Sequence, residues 1–345
     1  MSILVTGGAG YIGSHATKRL LDEGHHVVVV DNLHRGHRFP IQRLAESPGA
    51  RLNFVHADIA DSETLKTVFS THSIDTVMHF AALTYVGESV EQPLLYHHNN
   101  TAAALNLVRL CDAHGVERFV FSSTAATYGQ PPQTHIPITE DCPTRPINPY
   151  GRSKLALEHI LWDWAHAREA SGEPVAVSAL RYFNVAGCHR AGVLGEHHEP
   201  ETHLIPVILQ AALGKRDAIT IFGDDYDTPD GTCIRDYVHV EDLVDAHLRV
   251  MDELRPGDRR TYNLGIGRGY SVREIIDAAR EVTGVDFPVR IGTRRAGDPP
   301  VLHADAARIR KELGWQAQIT DIREVVESAW HWFKANPRGY PNSGD

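Results

Sequence analysis

Close to its N-terminus the chain carries glycines 7, 10 and 13 in the run Val5-Thr6-Gly7-Gly8-Ala9-Gly10-Tyr11-Ile12-Gly13, directly after a β-branched apolar strand. This spacing predicts a tight strand-to-helix turn, in which backbone N–H groups and the helix N-terminus approach a pyrophosphate without Cβ obstruction. A tight turn with no ligand would also ask for glycine. The next apolar strand, however, ends on Asp31, where a carboxylate accepts hydrogen bonds from an adenosine ribose and repels a 2′-phosphate. Together they predict a dinucleotide site that prefers NAD to NADP. Nearby Arg35 is the opposing signal, and a surface aspartate ending a strand is the plain alternative.

Downstream, short β-rich apolar runs at 3–6, 27–30, 52–56, 76–80, 119–122 and 176–181 alternate with helical patterns near 11–23, 62–70, 93–114 and 149–170. That alternation predicts an α/β fold, a doubly wound parallel sheet of Rossmann type with its site at the strands' carboxyl ends. After Arg181 the pattern gives way to turn-rich chain. The stretch 236–264 reads as strand-helix-strand returning to the sheet. We therefore expect an NAD-binding domain of 1–181 plus 236–264 and a smaller mixed α/β lobe of 182–235 plus 265–345.

With 345 residues, 42% of them hydrophobic, the chain can bury a sizeable core. Its formal charge is −10 and its basic residues form no block, which argues against nucleic-acid or membrane partners. Cys111, Cys142, Cys188 and Cys233 lie far apart and read as free thiols. The first residues run into the strand and glycine turn with no basic and apolar leader, so the cytoplasm is the expected compartment. The 22 histidines are scattered, and His25-His26, His97-His98 and His197-His198 are adjacent pairs rather than ligands at helical spacing. With no carboxylate or cysteine cluster noted beside them, no metal site is expected.

Tyr150 and Lys154 stand four residues apart at the start of a predicted helix and so share a face. A neighbouring ammonium, joined by an oxidised nicotinamide, brings a phenol toward service as a base. Such pairs also arise by chance on solvated helix faces. Here Phe121-Ser122-Ser123-Thr124 ends a strand that opens on the same crevice.

The glycine turn, Asp31, Asp58, Phe80-Ala81-Ala82, Asn99, Ser122-Ser123-Thr124 and Tyr150 with Lys154 resemble the extended short-chain dehydrogenase/reductases. Arg181-Tyr182-Phe183-Asn184, Phe222-Gly223-Asp224-Asp225-Tyr226, Asp230-Gly231-Thr232, Arg235-Asp236-Tyr237-Val238-His239-Val240 and Tyr262-Asn263-Leu264-Gly265 resemble the UDP-glucose 4-epimerases within that family. The resemblance implies that Thr124, Tyr150 and Lys154 are catalytic. It places Gly7, Gly10, Tyr11, Ile12, Gly13, Asp31, Asn32, Asp58, Ile59, Phe80, Ala81, Ala82, Asn99, Ser122, Tyr182 and Phe183 around NAD. The nucleotide sugar would meet Asn184, His203, the Leu204 backbone, Thr220, Phe222 at the uracil, Arg235 and Arg295 at the diphosphate, Asp298 at the uridine ribose, and Leu302. A homodimer through helices near 93–114 and 149–170 is also implied.

Departures from the family pattern are Thr124 for a common serine, Thr84 for a cofactor-contacting lysine, His203 for an asparagine, and Leu302 for a bulky tyrosine. The expected reaction is removal of the O4 proton by Tyr150 with hydride transfer from C4, rotation of the 4-keto sugar, and return of the hydride. UDP-xylose, UDP-arabinose and N-acetylated hexosamines are alternatives to UDP-glucose and UDP-galactose. A 4,6-dehydratase would need an acidic pair after Thr124, where Ala125-Ala126 stand. A non-catalytic NAD-sensing protein is the rival of another class.

Overall fold

The structure, a computed structural model, describes residues 2–295 and 298–341. Strands β1 (Ser2–Thr6), β2 (His26–Asp31), β3 (Arg51–His56), β4 (Ile74–His79), β5 (Arg118–Ser122) and β6 (Ala176–Tyr182) form one parallel sheet with the strand Arg259–Leu264. Their spatial order is Arg259–Leu264, β6, β5, β4, β1, β2, β3. The direction of winding reverses between β1 and β4, so a crevice opens beyond their carboxyl ends.

Alternate residues of one strand enter opposite cores. Ile3, Val5, Val27 and Val29 face one layer with Leu20, Leu243 and Leu248, whereas Leu4, Val28 and Val30 face the other with Leu107, Leu157 and Leu161. A strand covered on both sides must be apolar at every position, which is why β2 carries four consecutive valines. β3, at the sheet's edge, has exposed Arg51, Asn53 and His56 instead.

A third core joins the helices Leu204–Ala212, Val272–Thr283 and Ile322–Ala335. Ile309, Trp315 and Ala317 depart from the expected division, because they pack in the first core with Leu243 and Leu264 although they lie within 265–345. The apolar side of the short helix Ala307–Leu313 finds its cover on the parent sheet.

The helical pattern at 93–114 is interrupted. Pro93–His97 and Ala104–Ala113 are α-helical, and His98–Ala103 between them is π-helical, a local widening often found at functional sites. Pro149–Ala170 is one helix, with Pro149 in the first turn and the Asn148 side chain accepting from Gly151 N–H at 2.8 Å. Among the described residues no helix is long and apolar enough to cross a membrane. All four cysteines are free and buried.

Candidate active site

The glycines of the N-terminal turn are set by close backbone approach. Gly7 has φ +73°, and a Cβ there would lie 2.5 Å from the Ala81 nitrogen, while a Cβ on Gly13 would strike the Gly7 carbonyl. The N–H groups of Phe80 and Ala81 both donate to the Thr6 carbonyl, at 3.0 and 3.1 Å, which fixes the end of β4 beside the turn. Ala82 follows, partly buried. The Asp31 carboxylate accepts from Ala9 N–H at 2.9 Å and Leu33 N–H at 2.8 Å. Two of its roughly four acceptor positions therefore remain for a ligand's hydroxyls. Burial raises its pKa, and the two N–H groups pull it down.

Around this turn, the Asn32 amide donates to Asp58 at 2.7 Å, Asp58 also holds Ala60 N–H at 2.8 Å, and the Ile59 carbonyl accepts from Asn106 at 3.0 Å. Ile12 packs against the first core, and the Tyr11 hydroxyl turns away to donate to the Gly187 carbonyl at 2.5 Å. Asn99 donates to Asn100 at 2.9 Å. Asn100 itself, not foreseen from sequence, clamps Leu83 N–H and carbonyl and reaches Ser153 at 3.1 Å, so the π-helical stretch ties the β4 loop to the catalytic helix.

On that helix, Lys154 is 3% exposed and donates to the Ser122 carbonyl at 2.9 Å, with its ammonium 4.8 Å from the Phe121 ring centre. Burial pulls its pKa down to about 7, and the Glu158 carboxylate opposes the shift. Burial raises the Tyr150 phenol, while a hydrogen bond with Thr124 lowers it. Thr124 is also held by Ala126 N–H at 3.1 Å, and the Ser122 hydroxyl pairs with that of Tyr182. The phenol, a short hydroxyl and a buried amine thus meet at the carboxyl ends of β5 and β6.

Glu158, one turn beyond Lys154 and fully buried, was not singled out from sequence. It receives Ser123 Oγ at 2.5 Å and the Arg181 guanidinium at 3.0 and 2.5 Å, and Arg181 continues to Tyr128 at 3.0 Å. Its only sequence signal is the four-residue spacing from Lys154.

The expected sugar-nucleotide residues fall into three groups. Thr220 and Phe222 share the exposed face of the strand Ile219–Phe222, and the Arg295 guanidinium covers the Phe222 ring at 4.1 Å. Arg235 pairs with Asp298, so diphosphate and ribose contacts were assigned to residues that contact each other. Asn184 donates to the Asp236 carbonyl at 3.2 Å, and Leu302, like Phe183 and Ala125, packs against the small core of Tyr128, Ile138 and Cys142. His203 stands at the N-terminal end of Leu204–Ala212 without a side-chain cap, its Nδ1 2.7 Å from Glu196. Carboxylates therefore do accompany histidines here: Glu196, His198, Glu201 and His203 gather their ligand atoms within 4.8 Å, contrary to the expectation of no metal-binding cluster. The loop's backbone, not helical spacing, brings them together.

Residues 3–265 match the NAD dependent epimerase/dehydratase family. Over 341 residues the chain is 49% identical to a UDP-glucose 4-epimerase of Halalkalibacterium halodurans, covering 99% of this chain and 98% of that one. Among solved structures it superposes at TM-score 0.92 on the UDP-glucose 4-epimerase of Bifidobacterium longum in complex with NAD+ and UDP, at 40% identity and covering 99% and 100% of the two chains. It superposes at 0.82 on the UDP-Glc/GlcNAc 4-epimerase of Campylobacter jejuni, at 44% identity and covering 97% and 99%. With this match and the cradle that its glycine turn forms, the chain belongs to the NAD-dependent epimerase/dehydratase family.

Proposed function

We propose that the protein is a UDP-glucose 4-epimerase that interconverts UDP-glucose and UDP-galactose. The observation that carries this reading is the meeting of Tyr150, Thr124 and Lys154 in a crevice beside a glycine turn suited to a dinucleotide. The glycine turn and Asp31 would hold NAD, which would supply a reversible hydride acceptor for sugar C4 and so make the cycle redox-neutral. Tyr150 holds and releases the O4 proton, Thr124 orients that hydroxyl, and Lys154 keeps the phenol acidic while holding the nicotinamide ribose. Asp31 and Asp58 take the adenosine side. Phe222 takes the uracil face, with Arg295 moving from its ring to the diphosphate, and Arg235 and Asp298 exchange their mutual pair for diphosphate and ribose. The diphosphate anchor lets a 4-keto sugar turn over in the pocket without leaving.

In this reading 1–181 with 236–264 hold NAD and the remaining chain holds the nucleotide sugar. The working unit is a homodimer, because exposed Val90, Leu94 and Leu105 lie on or beside helices packed against Pro149–Ala170. Free buried thiols accord with a cytoplasmic setting. Ala125-Ala126 form the turn after Thr124 and offer no carboxylate for a 4,6-dehydration. Leu302, a small side chain on the core that Phe183 and Ala125 also pack against, favours a second, broader reading in which N-acetylated sugars are also accepted. Turnover of a panel of UDP-sugars, with and without added NAD, tests both: failure to convert UDP-glucose to UDP-galactose under either condition ends the first, and inertness of UDP-N-acetylglucosamine ends the second.

A further inference from the structure

The loop from Gly187 to His203 crosses the glycine turn as a strap. The Tyr11 hydroxyl donates to the Gly187 carbonyl at 2.5 Å, His37 Nε2 to the His197 carbonyl at 3.0 Å, Arg35 to the Glu199 carbonyl at 2.6 Å, and the Tyr85 hydroxyl to the Pro200 carbonyl at 2.8 Å. Its last turn folds back so that Glu196, His198, Glu201 and His203 each aim one atom into a common space.

The separations there have the size of a coordination shell. His198 Nδ1 lies 3.4 Å from Glu196 Oε1 and 3.5 Å from Glu201 Oε2, and His203 Nδ1 lies 3.4 Å from Glu201 Oε1 and 2.7 Å from Glu196 Oε1. Ligand bonds of about 2.0–2.2 Å around a tetrahedral ion set donor atoms roughly 3.3–3.5 Å apart. The two His198 separations match, the His203–Glu196 separation is shorter, and His203 faces the other oxygen of Glu201.

A second observation is independent of those distances. Glu196, 2% exposed, leaves Oε1 buried with no aligned hydrogen-bond partner, and His198 Nδ1 is buried in the same condition. Buried polar atoms are rarely left so without an ion or water to receive them. Glu201 is pre-oriented, since its Oε1 accepts the N–H groups of Thr202 and His203 at 2.8 Å each and Oε2 faces His198. Without an ion, burial is outweighed by Glu196 and Glu201, which raise His198 to about 9 and His203 to about 10, so the imidazoles are charged partners of the carboxylates. A divalent ion would take the place of those two protons with no change in net charge. His203 keeps 45% of its side chain exposed, which leaves an entry path.

We propose that Glu196, His198, Glu201 and His203 form a divalent-metal site, for zinc in the first place, whose ion clips the strap over the dinucleotide-binding turn. Mixed imidazole and carboxylate donors suit zinc and its first-row neighbours rather than calcium or magnesium. The ion is structural and takes no part in the sugar chemistry.

The test is equilibrium dialysis of the untagged, EDTA-stripped full-length protein against zinc chloride, with cobalt chloride as a spectroscopic substitute. The wild type should hold one zinc per chain, show the d–d absorption of a tetrahedral cobalt site, and melt at a higher temperature with zinc than without. Glu196→Gln and His203→Asn should each weaken binding by at least about 10-fold and lose the zinc-dependent rise in Tm. His203→Asn, at a partly exposed position, decides the matter if Glu196→Gln does not fold. Absence of stoichiometric zinc in the wild type, or binding and a Tm rise that survive in the folded variants, would show a cluster of His–Glu ion pairs and overturn the site. UDP-glucose turnover, measured in parallel, keeps this result separate from the epimerase reading.

Discussion

Tyr150 is the residue on which the proposed chemistry turns, because its phenol is buried against Thr124 and lies on the same helix face as Lys154. Tyr150→Phe keeps the ring and its edge-on contact with Tyr96 but removes the only proton carrier proposed for O4. Turnover should fall by about 10²–10⁴-fold, with UDP-sugar affinity within a few-fold of wild type. Steady-state kinetics alongside calorimetric titration with UDP-glucose checks it, and undiminished turnover would remove Tyr150 from the mechanism. Leu302 tests the pocket wall in the same way. Its side chain packs on the same small core as Phe183 and Ala125, so a tyrosine there adds a ring at the edge of that core. Leu302→Tyr should lower turnover of UDP-N-acetylglucosamine far more than that of UDP-glucose. An unchanged ratio of the two rates would mean that Leu302 does not bound the sugar.

The helix Pro149–Ala170 shows at the scale of an element what sequence can and cannot disclose. Tyr150, Lys154 and Glu158 recur every four residues, so their common face was legible, and with it the pairing of the phenol and the amine. The role of Glu158 was not, because it depends on Ser123 and Arg181, distant in sequence and adjacent only once β5 and β6 pair. Glu158→Gln leaves the Arg181 guanidinium buried without its counter-charge. Breaking such a pair costs about 3–5 kcal/mol, so the urea midpoint should drop markedly. An unshifted midpoint would show that the Tyr128 hydroxyl, itself held by Asn263, suffices to hold Arg181. Other elements escaped for similar reasons. The sheet strands were readable from runs such as Val27–Val30, whereas the π-helical break at His98–Ala103 leaves the apolar pattern intact and is invisible to it. Glu196, His198, Glu201 and His203 lie in no helix, so even the three-residue spacing of His198 and Glu201 carries no helical meaning, and the folded-back strap brings the four together.

Across the whole molecule, assembly and acid stability depend on what the fold covers. Val90, Leu94 and Leu105 are 64%, 82% and 41% exposed, and a second copy laid on these helices would bury them. Sedimentation at micromolar concentration should therefore show twice the 38.2 kDa chain mass, and a lone 38.2 kDa species would refute the dimer. Acid stability rests on histidines enclosed without charge. Burial lowers His15 and His79 to about 3 and His239 and His247 to about 4. In the unfolded chain these imidazoles titrate near 6.5, so below that pH the unfolded state binds protons that the folded state refuses. Their contribution is thus complete above about pH 6.5 and is lost progressively as pH falls toward 3–4. His247 isolates the effect: it lies between Phe80 and Tyr182, its Nδ1 bonds only to the Leu243 carbonyl of its own helix, and its Nε2 has no partner. His247→Phe keeps an aromatic ring in that place and removes the proton site, so every other titration cancels in the comparison with wild type. Between pH 7 and 5.5 the variant should lose about 1 kcal/mol less stability than the wild type, measured by urea unfolding at both pH values. Equal losses in the two proteins would mean that His247 is protonated inside the fold, and the acid limb would then have to come from the other three histidines and the carboxylates.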